Sequence, residues 1–391
     1  MSLSDPQPTV SDGERPLLSI CIPTCNRAGF LRVMLQALLP QVRQFPDEVE
    51  VWVLDNASTD QTAQILTEAA ALGPFHVHRQ SQNVGPTRNI VYGPATLARG
   101  THVWVLGDHN LLRQGALQRV LACLKNHPGH QLFYMNFRTA AYPSQWPAVA
   151  IGGHEGSFQY LGNPEITDGV VPHWFQLLRP YSAVCTQNYV HIISTRIWRD
   201  FWKNGVQGED YSSAETTYPH TLTIVNGWLQ QPVVVLADAV LTIFNGAQSW
   251  GNPVTRVQVY FTGLPLLLQQ LQKRGLPHKS LQEIRERFYA PESARVIRDV
   301  CQRCGRLAGL TLVLRHLGTN RHGWHALLAV LPEILLPRLT SGTRRLAGWC
   351  RNYRSWYLFN FRPARWLRSL TTVRPPAHAA SDTHGGSDAS G

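Results

Sequence analysis

The sequence predicts an α/β fold, a mainly parallel sheet flanked by helices, followed by a mostly helical, basic C-terminal region. Three features of the 391 residues carry that expectation. Short apolar runs alternate with helix-spaced segments through residue 135, the pattern of strands joined by crossover helices. Polar residues follow four successive runs (Thr24, Asp55, Asn83 and Asp108), and parallel sheets bind ligands beyond the C-terminal ends of their strands. Near residues 252–256 the composition turns leucine- and arginine-rich.

Taken in order, LLSICI at 17–22 is an apolar run stopped by Pro23, the signal of a buried strand. Phe30, Val33, Met34, Ala37 and Leu38 then recur at helical spacing over 29–39. VEVWVL at 49–54 is a second strand, and Ser58, Thr59 or Asp60 can cap a helix over 61–72. A third strand at 75–79 leads through NVGPTRN into a helix reaching about Ala98. THVWVL at 101–106 is the fourth strand, followed by GDHN, a helix over 114–124 and a strand over 130–135. Residues 136–250 are less regular, with strands expected at 191–194 and 232–236. Helices are expected over 264–274, 280–289, 293–300 and 305–316.

With 43% hydrophobic and 16% charged residues, wholesale disorder is excluded. A chain this long buries about three-quarters of its extended surface, so disulfides are not needed for stability. Seven irregularly spaced cysteines make no disulfide framework and suit a reducing compartment. The net charge of +11 is local: thirteen arginines against the single acid Glu333 between Cys301 and Arg374 give +12, leaving −1 elsewhere. Residues 1–15 carry no apolar core and are not a secretory signal; they and the Pro-, Gly- and Ser-rich 375–391 are expected to be disordered. No apolar run reaches the length of a membrane span.

LSICIPTCNR (18–27), VWVLDNASTD (51–60), NVGPTRN (83–89) and VWVLGDHN (103–110), in this order and strand context, resemble the successive motifs of family 2 glycosyltransferases of the GT-A fold. The resemblance covers roughly residues 16–250 and is nearest to bacterial abequosyltransferase-like enzymes of lipopolysaccharide and other surface glycans. It implies a domain over 16–252, with a nucleotide half (16–135) and an acceptor half (136–252), ahead of the helical region 253–374. It further implies an inverting transfer from a nucleotide-diphosphate sugar to a hydroxyl of a glycan or lipid-linked acceptor.

The residues support a reading of their own beside it. Asp55 can accept from a base N–H or a ribose hydroxyl, and the resemblance puts it near the base; alternatively it caps the DNAST turn through an Asx bond. Pro23, Thr24 and Asn26 line the loop that the resemblance wraps around the nucleoside. Arg88, at a helix start, can fork onto a phosphate or stay solvated. Asn83 and Asn89 organise their loop, and Arg27 reads as exposed. In GDHN, Asp108 stands where the family begins an acidic cluster holding Mn²⁺ or Mg²⁺, but His109 and Asn110 replace the later acids, a weaker site for a hard cation. The resemblance puts Asp108 at the ribose or the metal, and His220 resembles a histidine that completes the metal site, or is a buried, satisfied one; Asn110 is a candidate amide ligand, and His109 is either a ligand or a packed histidine.

For the base that deprotonates the acceptor, Asp210 in GED matches the family position and Glu215 is the rival; a solvated turn with a helix cap is the plainer alternative. Asp238 belongs to no firm motif. Trp174, Trp198, Trp202, Trp228 and Trp250 surround the acceptor region as stacking platforms for sugar or as core residues. Residues 338–370 interleave arginine with aromatics and leucine, as does a helix lying on an anionic membrane. A cytoplasmic enzyme, peripheral on the inner face of the cytoplasmic membrane, is therefore expected, and nucleic acid is not an expected partner. Cys301 and Cys304 lack a second ligand pair for zinc. A nucleotidyltransferase on a similar sheet and a non-catalytic glycan-binding descendant are the competing classes.

Overall fold

The computed structural model describes residues 15–141, 158–178, 182–245 and 252–335. The chain divides into units Met1–Leu335 and Leu336–Gly391, and all described residues fall in the first. Trp250 and the basic stretch 338–370 lie outside the described residues.

β1 (Leu18–Thr24) is buried at all but one position. A strand covered on both faces reads as a continuous apolar run rather than an alternation. α1 (Ala28–Val42) runs past the expected stop and through Pro40 in its last turn. β2 (Val49–Asp55) pairs in parallel with β1, from Leu18 beside Val49 to Thr24 beside Asp55. α2 (Thr62–Ala69) starts where Asp60 accepts from the Thr62 amide at 3.0 Å and hydroxyl at 2.6 Å. β3 (His76–Arg79) joins the far side of β2 and sets Arg79 beside Asp55. α3 (Pro86–Tyr92) continues into a wide π turn at Gly93–Leu97. β4 (His102–Val105) flanks β1 on its other side, with Cys21 beside Val105. These four strands run parallel in the order β3-β2-β1-β4, so their C-terminal ends share one rim.

The second half of the sheet is mixed rather than parallel. β5 (Asn110–Leu112), α4 (Ala116–Asn126), β6 (Leu132–Ala141), β7 (Phe158–Leu161), β8 (Gly169–Val171) and β9 (His191–Ser194) follow. β9 lies antiparallel between β4 and β6. After α5 (Thr195–Trp202), α6 (Ala214–Thr217) and α7 (Pro219–Val225) comes β10 (Val233–Asn245), parallel to β6 and antiparallel to β5 and β8.

The change of composition at 252–256 marks the start of α8 (Pro253–Val257), while the compact unit continues to Leu335. α9 (Leu264–Lys273), α10 (His278–Ile284), α11 (Ala290–Cys304), α12 (Arg306–Leu317) and α13 (Arg321–Leu335) complete it. The π segment Gln258–Gly263, between α8 and α9, seats against the end of α6: the Tyr218 hydroxyl donates to the Val259 carbonyl at 3.1 Å, and a Cβ on Gly263 would stand 2.5 Å from Thr217. Among the described residues no helix is long and apolar enough to cross a membrane.

Candidate active site

The register of the parallel strands brings the sequence-selected residues to one rim. Thr24 is level with Asp55, and Asp108 lies as far beyond Val105 as Thr24 lies beyond Cys21. The Thr24 hydroxyl donates to Asp108 Oδ2 at 3.0 Å. Asp108 is 4% exposed and Asp55 1%, so both charges need partners close at hand.

Asp55 spends Oδ1 on the Ser58 amide at 2.9 Å, the Asx bond of the DNAST turn. Its Oδ2 accepts from Arg79 Nη1, and Arg79 Nη2 reaches the Ser58 carbonyl at 2.7 Å. Asp55 is thus a turn cap and also an ion-paired carboxylate at the strand end. Arg79 carries no signal within its own strand; only the register reveals it.

The first and second loops are stitched together. The Asn26 amide donates to Ser58 Oγ at 2.9 Å, while Asn26 Oδ1 accepts from the Thr59 amide at 2.7 Å. Asp60 Oδ2 accepts from the Ala28 amide at 3.0 Å, so the second loop caps α1. Burial raises the Asp60 carboxyl, but hydrogen bonds from Thr62 and the Ala28 amide outweigh it and leave the carboxyl lowered. The Cys25 thiol is pushed up by burial and then by the carboxylates of Asp55, Asp60 and Asp108, which converge around it. It is a loop cysteine held protonated rather than a nucleophile.

Asn56, which the sequence did not single out, organises the third loop. Its Nδ2 donates to Asn83 Oδ1 at 3.0 Å, and its Oδ1 accepts from the Val84 amide at 2.9 Å. Asn83 Oδ1 also accepts from the Gly85 amide at 2.9 Å, and Asn89 donates to the Leu54 carbonyl at 2.8 Å. Gly85 has φ +88° and ψ 158°, a region essentially reserved for glycine, and Pro86 opens α3.

Across from this loop lies GEDYSSAETTYPH. Asp210 Oδ1 accepts from the Thr87 amide at 3.2 Å, and a Cβ on Gly85 would stand 1.9 Å from Asp210 Oδ2. The Thr87 hydroxyl donates to the Thr216 carbonyl at 2.6 Å. Arg88 is exposed and donates through Nη2 to the Gly208 carbonyl at 2.7 Å, so in this arrangement it ties down the loop carrying Asp210. Glu215 lies in the first turn of α6, whose start is fixed by the Ser213–Thr216 capping box. Pro23 is the half-buried penultimate residue of β1.

Backbone strain collects in the same place. Among the described residues the non-glycine residues with left-handed φ are Asn26 (+54°), Ala57 (+55°) and Tyr211 (+63°), one in each of three of these loops. Such outliers persist where the surroundings over-determine them, and they cluster at functional sites.

Arg27, read from the sequence as exposed, is instead held inward. Its Nε donates to Asp108 Oδ1 at 2.8 Å and Oδ2 at 3.0 Å, and its side chain is 15% exposed. The start of a helix reads as surface when its partner lies 81 residues away. His109 Nδ1 lies 3.1 Å from Asp108 Oδ1.

The metal set implied by the resemblance is not assembled. Both Asp108 oxygens face Arg27, with Thr24 and His109 also in contact. Asn110 opens β5, and its Oδ1 accepts from the Gly107 amide at 2.7 Å, which makes it the brace of the GDHN turn. His220 is buried in α7 with Nε2 unpartnered, and burial and then His191 press its pKa well below the usual value. Among the described residues no three His, Cys, Asp or Glu side chains are grouped to hold a metal. As folded, the donor set does not fit a divalent ion.

Trp174, Trp198 and Trp202 are buried core residues, Trp228 is half-buried, and Asp238 pairs with Arg119 at 3.0 Å. Cys301 is buried and Cys304 exposed, both free.

Residues 19–147 match the family model of glycosyl transferase family 2. Over 103 residues the chain is 34% identical to abequosyltransferase RfbV of Salmonella typhimurium, a match covering 26% of this chain and 30% of RfbV. The matched segment is thus under a third of that relative's length. The crystal structure of S. aureus TarS residues 1–349 in complex with UDP-GlcNAc superposes with a TM-score of 0.52 at 17% identity. It covers 77% of this chain and 80% of TarS 1–349. A longer S. aureus TarS structure gives 0.52 at 18% identity over 82% of this chain and 52% of TarS. At that identity the likeness shows the fold, a mixed, curled sheet with flanking helices of the GT-A type.

Proposed function

We propose that this chain, which carries a family 2 glycosyl transferase domain over residues 19–147, transfers a sugar from a nucleoside-diphosphate donor to a glycan or lipid-linked acceptor in surface-glycan synthesis. The observation that carries the reading is the meeting of four loops at one rim. Thr24 bonds to Asp108, Asn56 next to Asp55 bonds to the Thr24 carbonyl and to Asn83, and Asp210 faces Gly85. RfbV is named an abequosyltransferase and TarS was crystallised with UDP-GlcNAc, which supports a nucleotide-sugar donor here.

Asp55 and the first loop, Pro23 to Asn26, hold the nucleoside. Asp210 is the base: a carboxylate within about 3 Å of the acceptor hydroxyl takes its proton as the oxygen attacks the anomeric carbon. The new C–O bond forms on the face opposite the leaving group, so the configuration inverts. The bond from the anomeric carbon to the phosphate oxygen breaks, and its electron pair leaves with the nucleoside diphosphate. Cationic and N–H donors at the rim stabilise that growing charge. Glu215 is the alternative base. Residues 338–370 hold the enzyme to the inner face of the cytoplasmic membrane, where a lipid-linked acceptor would be reached.

The test is incubation with a panel of nucleotide sugars and lipid-linked or glycan acceptors, followed by analysis of the released nucleotide. Free nucleoside diphosphate is expected. Pyrophosphate would assign a nucleotidyltransferase, and tight nucleotide binding with no turnover on any acceptor would assign a binding protein.

A further inference from the structure

We propose that the outward sides of α12 and α13 form a surface that docks on an anionic lipid bilayer. These helices precede residues 338–370, and their docking does not depend on the membrane role given to that stretch above.

Both helices are apolar on two sides. α12 turns Gly309, Val313 and Leu317 inward, and a Cβ on Gly309 would stand 2.6 Å from Cys301 Cα of α11. Its other side carries Leu307 and Leu314, two turns apart. α13 buries Ala326, Val330 and Ile334 and leaves Trp324, Leu328 and Leu335 outside, again at helical spacing. From Ala326 to Leu335 its only polar side chain is Glu333, which is spent on Arg298 of α11 at 2.9 Å. A helix that is apolar all round belongs where both of its sides are covered. Yet Leu307 is 79% exposed and Leu328 60%. Among the described residues eight large hydrophobic side chains are exposed, and five of them stand on these two helices. The other three are single valines, on β3, β8 and α8. Scattered apolar side chains are ordinary on a surface, whereas a concentration of this kind marks an interaction site.

Charge selects the occupant. Between Cys301 and Leu335 the sole acid is Glu333. Arg306, Arg315 and Arg321 are exposed and meet no carboxylate among the described residues. A second copy of the chain, docked by the same face, would set these arginines against their own kind. An anionic bilayer offers an apolar layer for the leucines and Trp324, and phosphates above it for the arginines. α13 has 15 residues, too few to span, so it lies along the interface.

Flotation of the full chain with vesicles tests this, using phosphatidylcholine alone and phosphatidylcholine mixed with phosphatidylglycerol. The salt is set where wild type is half bound to the mixed vesicles. Leu307→Ser/Leu328→Ser should lower the partition coefficient at least about tenfold. Arg306→Gln/Arg315→Gln/Arg321→Gln should lower it at least about tenfold on mixed vesicles and leave the weaker binding to neutral ones unchanged. Val77→Ser, which removes an exposed apolar side chain from β3, should bind as wild type does. Unchanged partitioning of the leucine variant overturns the proposal. If sedimentation velocity then shows that the same variant has lost self-association, the face lies between copies of the chain instead. If the leucine variant does not fold, the arginine variant decides, and its equal binding to mixed vesicles overturns the proposal. Truncation before Arg338 separates the two membrane readings. Loss of binding there, with the leucine variant unaffected, leaves residues 338–370 alone on the membrane; the converse result leaves α12 and α13.

Discussion

Replacing Gly85 by alanine probes the seat of the candidate base without requiring a known substrate. Two costs follow from the geometry. Gly85 has φ +88° and ψ 158°, and holding a residue with a Cβ there costs about 1–3 kcal/mol. The added Cβ would also fall 1.9 Å from Asp210 Oδ2 and 2.9 Å from its Cγ, so the carboxylate must swing away and release the Thr87 amide. A hydrogen bond to a charged group contributes about 1.5–3 kcal/mol, and at 3.2 Å the lower end applies. Gly85→Ala should therefore destabilise by about 2.5–4.5 kcal/mol. In an Asp210→Ala background the obstructing atoms are gone and only the backbone cost remains. The double-mutant cycle should then show a coupling of about 1.5 kcal/mol, the second substitution hurting less than it does alone. Urea denaturation of the four proteins measures this. Strictly additive costs would mean that Asp210 does not sit against Gly85, and its place as base would lose its geometric support.

Asp210→Asn keeps an oxygen for the Thr87 amide but not the basicity; turnover should fall by about 10²–10⁴-fold with donor affinity kept, and if only Glu215→Gln behaves so, Glu215 is the base. Asp108→Ala removes the buried carboxylate on which the Thr24 hydroxyl and the Arg27 guanidinium converge, so turnover should fall; near-full turnover would remove Asp108 from the site. Burial holds His191 neutral, with a pKa of about 3 against its ordinary 6.5. The folded value lies below the unfolded one, so this contribution is fully present above pH 6.5 and is lost as pH falls toward 3. Between pH 7 and 5 the loss should approach about 2 kcal/mol, and His191→Gln should flatten that slope; an unchanged slope in urea melts would contradict it. Truncation before Arg338 should reduce sedimentation with anionic vesicles, and equal binding by the truncated protein would end the membrane role of residues 338–370.

The strand ends were legible because apolar runs break at Pro23, Asp55 and GDHN, where the chain leaves the sheet. Asn83 and Asp60 were readable as loop and cap residues from local chemistry alone. What stayed hidden depends on register and distance. Arg79 acquires meaning only because β3 aligns it with Asp55. Asn56 matters through its bonds to a loop 27 residues on. Where antiparallel strands join the parallel ones was not legible, because β5 is three residues long and its partner β10 lies over a hundred residues away. β9 likewise returns antiparallel next to β4 with no signal in HIIS to say so. TRIWRDFW at 195–202 does place Ile197, Trp198, Phe201 and Trp202 at helical spacing, the local signal for α5.

Hydrogen–deuterium exchange of the full chain, with and without a saturating nucleotide sugar found by thermal shift, addresses the shared cleft most directly. The account predicts slowed exchange in residues 24–28, 55–60, 83–88 and 107–110 together, because a single ligand lies against all four loops. Protection confined to one of them, or falling elsewhere in the chain, would contradict it.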